Sequence, residues 1–176
     1  MKRILALTCT AALLAAPAYA ALQNGAKAPD FSATASIGGK EFKFALADAL
    51  KKGPVVLYFY PAAFTPGCTI EAHNFADAMD DFHKLGATVI GVSHDPIEKL
   101  DRFSLTECRS KFPVAADTDG SIMRKYNAAA DSEYADRVSY VIAPDGRVVY
   151  SYTAGDPTHH VEYTMAAVKK LNAEHH

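Results

Sequence analysis

Two kinds of apolar spacing divide the chain. After Gly53-Pro54, the residues Val55, Val56, Leu57, Tyr58, Phe59 and Tyr60 form an unbroken apolar run closed by Pro61. A continuous β-branched and aromatic run of that length predicts a strand buried on both faces. From Cys68 the period changes: Cys68, Ala72, Phe75, Met79 and Phe82 step by four, three, four and three, which is one face of a helix. Positions 88–92 read as a second buried strand. Asp95-Pro96-Ile97-Glu98 then offers an Asp cap, Pro at the first helical position and Glu three residues after the cap, predicting a helix that runs to about position 109. A short strand at 114–116 and a short helix at 120–126 follow. Strands at 138–142 and 148–152 are joined by the turn sequence Ala143-Pro144-Asp145-Gly146. Val161, Met165, Val168 and Leu171 supply the apolar stripe of a last helix. Nearer the start, Ile37-Gly38-Gly39-Lys40 predicts a hairpin over 32–44, with a short helix at 45–52.

This order, two strands, then β-α-β-α-β, then a hairpin and a helix, predicts an α/β fold. Its centre is a mixed β-sheet flanked by helices, parallel in part, with an N-terminal β-hairpin. Thioredoxin-like folds have this order and so do other α/β designs, so function has to be argued from particular residues. The 176 residues are 49% hydrophobic and 22% charged, which suits one domain with one substantial core. Net charge is −2 and no Lys/Arg block stands out, so no nucleic-acid or anionic-membrane partner is expected.

The first twenty residues have a different character. Lys2 and Arg3 precede an apolar run over 4–16, and Ala18-Tyr19-Ala20 places small residues where a signal peptidase reads. The pattern predicts a secretory signal over 1–20, cleaved after Ala20, with an uncleaved anchor as the rival reading. Residues 21–176 would then be one exported domain, in the periplasm of a bacterium, with no stable membrane insertion. Removal of the signal also removes Cys9 and leaves Cys68 and Cys108 in an oxidising compartment. A core of this size does not require a structural disulfide.

The stretch from Tyr60 to Glu71 carries the chemistry. A buried strand ends at Pro61, a short loop crosses, and Cys68 opens a helix. A thiol in the first turn of a helix meets unpaired N–H groups and the positive end of the backbone dipole, both of which favour the nucleophilic thiolate. Thr65 brings a hydroxyl to the same loop, able to donate to sulfur, and Pro61 and Pro66 stiffen it. The competing reading of Cys68 is a plain buried core cysteine.

Pro61-x-x-x-Thr65-x-x-Cys68, with Pro66-Gly67 before the cysteine and Thr69, Glu71 and Ala72 after it, resembles the active-site signature of the peroxiredoxins. It is most similar to the peroxiredoxin Q, or bacterioferritin comigratory protein, group, and the likeness extends over nearly all of 21–176. Ala28-Pro29-Asp30-Phe31, Gly91-Val92-Ser93 and the segment from Phe112-Pro113 to Asp117 take part in it. Arg137-x-Ser139-Tyr140-Val141-Ile142 resembles the segment holding the family's arginine, and Glu71 its orienting carboxylate. The resemblance implies a thioredoxin-like fold and a thiol-dependent peroxidase acting on hydrogen peroxide and organic hydroperoxides. Cys68 would pass through a sulfenic acid, and no cofactor or metal would be needed.

Many members of the group carry a resolving cysteine five residues after the nucleophile, where this chain has His73. Cys108 is the intramolecular candidate left, expected late in the helix that starts near Ile97. A buried spectator, with an external thiol resolving the sulfenic acid, is the other reading. The required reductant is a thioredoxin-like protein or a small thiol, and a monomer or weak dimer is expected. His73, His83, His94 and the pairs His159-His160 and His175-His176 lack the spacing of a closed metal site and read as solvated surface. Two other functions compete. A periplasmic dithiol-disulfide oxidoreductase would want C-x-x-C at the helix start, but Thr65 and Glu71 stand there. A copper-handling protein would want a second cysteine where Ala72 stands.

Overall fold

The computed structural model describes residues 20–129 and 132–174. The secretory-signal expectation, like His175 and His176, lies outside them. The elements in chain order are β1 (Ser32–Ile37), β2 (Lys40–Ala45), α1 (Leu46–Leu50), β3 (Val55–Phe59), α2 (Pro66–Lys84), β4 (Thr88–Ser93), α3 (Ile97–Thr106), β5 (Val114–Ala116), α4 (Ser121–Lys125), β6 (Val138–Ile142), β7 (Val148–Thr153) and α5 (His160–Glu174). The strands form one seven-stranded sheet in the order β2-β1-β5-β4-β3-β6-β7. β3 pairs in parallel with β4 and antiparallel with β6, and the N-terminal hairpin extends the sheet through an antiparallel β1–β5 pairing.

β3 shows why its sequence is apolar throughout. Val55, Leu57 and Phe59 point to one face, among Phe31, Ile90, Tyr126 and Tyr140. Val56 and Tyr58, followed by Tyr60, point to the other, among Phe75, Met79 and Phe82 of α2 and Val168 of α5. Successive side chains alternate across a sheet, so a strand covered on both sides can spare no polar position. At this scale burying each such side chain contributes about 2 kcal/mol. Tyr58 lies at 4.5 Å on Phe75, and this ring fits only because position 91 is glycine: a Cβ there would come within 2.7 Å of Tyr58 Cζ.

Three expectations change. The start of α3 is one: Asp95 does not cap the helix, whose N-cap position is Pro96 without a side-chain bond. The Asp95 carboxylate is spent on tertiary partners. α3 also ends at Thr106 rather than near 109, because Arg109 and Ser110 adopt positive φ of 50° and 55° and turn the chain. Cys108 therefore lies in the turn after the helix, still fully buried. In α5 the inward face is His160, Thr164, Val168 and Leu171, while Val161 and Met165 are only half-buried. The helix is rotated from the expected stripe because His160 and Thr164 have buried hydrogen-bond partners and can occupy inward places.

Candidate active site

α2 begins at Pro66, with Thr65 at its N-cap position in extended conformation. Proline suits the first helical position because its missing N–H would have no partner there. Cys68 thus stands third in the helix, in the turn whose N–H groups lack helical acceptors, and is only 2% exposed. The dipole end favours negative charge on its sulfur.

The loop between Pro61 and Thr65 is held from below by Asp95. Its Oδ2 accepts from Ala63 N–H at 2.7 Å and from Ser93 Oγ at 2.9 Å, and its Oδ1 from Lys99 Nζ at 2.6 Å. A buried carboxylate with three donors is well compensated. Phe64 takes a positive φ of 67° and lays its half-exposed ring edge-on to Phe103 at 5.2 Å. Pro61 is half-buried at the end of β3. The Thr65 hydroxyl does not turn to the sulfur: Oγ1 donates to Ala62 O at 2.9 Å, the carbonyl that the loop's own turn brings closest.

Arg137, immediately before β6, reaches across to α2. It is 7% exposed, and each of its guanidinium nitrogens has a partner. Nε donates to Gly155 O at 3.1 Å, Nη1 to Glu71 Oε2, and Nη2 faces Cys68 Sγ at 3.5 Å. Burial works against the cation, but Glu71 and Cys68 beside it hold its pKa above the ordinary guanidinium value. This approach requires Gly67, since a Cβ there would come within 3.0 Å of Nη2. Glu71, one turn after Cys68, is fully buried, and burial pushes its carboxyl up to about 8 against the lowering influence of Arg137. Behind Glu71 sits His160, also fully buried. Its Nδ1 lies 2.8 Å from Ser139 Oγ and 3.7 Å from Glu71 Oε1, and its Nε2 lies 3.0 Å from Ala154 O. Burial lowers its pKa to about 4.

The structure therefore brings Cys68, Glu71 and Arg137 together, with Thr65 and Pro61 in the adjoining loop. Three roles were not read from the sequence. Gly67 was quoted only within the signature and Asp95 only as a helix cap; they act through close approach and a long-range contact, which spacing does not reveal. His160 was read with His159 as surface, and that fails for His160 alone, because Ser139 and Ala154 satisfy it inside the fold. A histidine opening the buried i, i+4, i+8 series His160, Thr164, Val168 was the available signal.

Cys108 is fully buried in the same apolar cluster as Cys68, and burial pushes its thiol well above the ordinary value. Both thiols are free. The turn carrying Cys108 is fastened to α2 by three polar contacts: a hydrogen bond between His73 and Glu107 at 2.8 Å and the ion pairs Asp77–Arg109 at 2.5 Å and Asp80–Lys111 at 3.4 Å. Residues 73, 77 and 80 share one face of α2 and meet every second residue of the turn.

A cysteine recessed in the first turn of a helix, under an arginine, on a mixed sheet of this order defines a thiol enzyme of thioredoxin-like fold. The AhpC/TSA family matches residues 24–151, and the chain belongs to that family. It is a thiol-dependent peroxidase. Peroxiredoxin Bcp of Escherichia coli (strain K12) is 30% identical over 123 residues, 66% of this chain and 78% of that protein. Among solved structures, peroxidoxin BcpB from Mycobacterium tuberculosis superposes with a TM-score of 0.77 at 28% identity, over 85% of this chain and 98% of that one. Peroxiredoxin Q of Xanthomonas campestris does so with a TM-score of 0.70 at 28% identity, over 78% and 89%.

Proposed function

We propose that Cys68 is the nucleophile that attacks hydrogen peroxide and organic hydroperoxides. The observation that carries this is the Arg137 guanidinium, with Nη2 at 3.5 Å from a sulfur recessed in the first turn of α2. The Cys68 thiolate attacks the distal peroxide oxygen in line with the O–O bond. An S–O bond forms, the O–O bond breaks, and its electron pair leaves on the second oxygen, which takes a proton to become water or an alcohol. Cysteine is oxidised by two electrons to sulfenic acid as the peroxide is reduced. Arg137 presents fixed donors where negative charge shifts from sulfur to oxygen, and Glu71 orients it. The Thr65 hydroxyl, lodged on Ala62 O, needs only a rotation to donate to a bound peroxide.

Resolution is assigned to Cys108: its thiol condenses with the sulfenic acid, releasing water and forming a Cys68–Cys108 disulfide. Its burial in the cluster that holds Cys68 supports the pairing, and the turn after α3 opens for the sulfurs to reach bonding distance. A dithiol reductant or small thiol then reduces the bridge. The basic start and apolar run of residues 1–20 support export, to the periplasm of a bacterium, where a membrane-fed relay or a small thiol would stand in for a cytosolic donor. The working unit is a monomer or weak dimer.

The test is the intact mass of the protein after one equivalent of hydrogen peroxide, for wild type and Cys108→Ser. Loss of two protons in wild type, with one oxygen retained by the variant, supports both assignments. Stable oxygen addition in both assigns resolution to an outside thiol. An unchanged mass in both removes Cys68 as the nucleophile.

A further inference from the structure

Behind Arg137, two acceptor atoms face one another in a space closed to water. His160 Nε2 lies 3.0 Å from Ala154 O, a carbonyl that only accepts, so Nε2 carries a hydrogen. In a neutral ring Nδ1 is then an acceptor, and Ser139 Oγ at 2.8 Å donates to it. Opposite, at 3.7 Å, stands Glu71 Oε1, a fully buried oxygen without a hydrogen-bond partner, while Oε2 of the same carboxyl receives Arg137. A buried carboxylate oxygen that faces a ring nitrogen without a hydrogen, and has no other donor, is unfavourable. A proton on Oε1 removes the conflict.

We propose that Glu71 keeps a proton on Oε1 because neutral His160 faces that oxygen without an N–H to offer it, and that His160 is thereby a positioning residue that keeps Glu71 from cancelling the Arg137 charge over Cys68. The inference rests on Cys68 being the nucleophile. The groups facing the pair pull in different directions, Arg137 favouring the Glu71 carboxylate and Asp156 an imidazolium, and burial outweighs both. Arg137 and Ser139 approach from the β6 side, Cys68 from α2, Tyr58 from β3, the Tyr152 ring at 4.8 Å from β7, and Asp156 from the loop before α5. The one fixed cation among them, Arg137, disfavours an imidazolium, and burial acts in the same sense, lowering His160 to about 4 and raising Glu71 to about 8. Near neutral pH the proton therefore rests on Glu71, while the Ser139 hydroxyl keeps Nδ1. A neutral carboxyl still accepts from Nη1, and the guanidinium charge is left for the sulfur and the peroxide. Loss of the proton at alkaline pH places a full negative charge on Arg137 and draws that charge away from the reacting atoms.

The test is the rate constant for Cys68 oxidation by hydrogen peroxide between about pH 5 and 10, in a Cys108→Ser background. It is paired with infrared difference spectra of the protonated carboxyl group. The parent protein should lose about tenfold in rate across an alkaline limb, and a carboxylic-acid band should titrate with it. Glu71→Gln should abolish both limb and band. His160→Gln keeps a donor for Ala154 but cannot take a proton, and should move the limb about one unit toward acid. Absence of the band near neutral pH, or a limb unmoved by His160→Gln, overturns the proposal. If peroxide leaves Cys68 unoxidised at every pH, the nucleophile assignment fails and with it the kinetic role of His160; the band then decides separately whether Glu71 keeps its proton.

Discussion

At the residue scale the site depends on a few atoms with little room to move. Cys68→Ser should abolish peroxide turnover in a steady-state assay, because a hydroxyl near neutral pH offers no comparable nucleophile. Arg137→Ala removes a preorganised donor and should lower the oxidation rate constant by about 10²-fold, with Cys68 still titratable by a thiol reagent. Gly67→Ala tests the same contact without touching either partner. Its Cβ would meet Nη2 at 3.0 Å, and a displaced guanidinium should cost about tenfold in rate at little cost in stability. Equal rates in Gly67→Ala and wild type would show that Arg137 has slack. Cys68 was legible because an unbroken apolar run followed by the spacing of helices marks where β3 ends and α2 begins. Arg137 was legible only through the segment it resembles. His160 was not, since Ser139, whose hydroxyl helps make its buried place tolerable, lies 21 residues away on another element.

At the element scale, the succession of strands and helices could be read from apolar periodicity, but their ends could not. Asp95-Pro96-Ile97-Glu98 has every local feature of a helix start, yet the Asp95 carboxylate meets Ala63 N–H and Lys99 instead. A buried backbone donor without another partner outweighs a cap that water could replace. The far end of α3 was overextended for a related reason: Arg109 and Ser110 take left-handed backbone that their side chains do not announce. The two ion pairs from α2 to this turn are individually weak, each worth up to about 1 kcal/mol because they are exposed. Together they hold the turn shut over Cys108. Asp77→Asn with Asp80→Asn should speed Cys68–Cys108 bond formation by about tenfold, read as disulfide appearance by quenched mass spectrometry. An unchanged rate would mean that the turn opens elsewhere.

For the whole molecule, the buried pair behind Arg137 predicts how stability follows pH. Glu71 holds its proton in the fold up to about 8 but releases it near 4.5 when unfolded, so stability falls as pH rises between those values. His160 resists protonation until about 4 but accepts it near 6.5 when unfolded, so its contribution falls as pH drops through that window. Where the windows overlap the two slopes oppose each other. Between about pH 6.5 and 8 Glu71 acts alone, and unfolding free energy should decline by on the order of 1 kcal/mol. Urea titrations of wild type and Glu71→Gln at the two pH values check this: the decline should be absent in the variant.

The anchoring of α3 has a mechanical consequence. At its beginning, Asp95 and Lys99 join it to the floor of the peroxide loop through bonds that are mostly shielded from water. At its close, the chain is fastened by contacts that solvent and salt can loosen. Such a rod pivots from one end only. Disturbance should enter where Cys108 sits and die out before Ala63, so the cradle around Cys68 keeps its shape while the second sulfur travels. Under the proposed resolution by Cys108, a cycle that is rigid for one step and yielding for the next would be divided between the two ends of a single ten-residue helix.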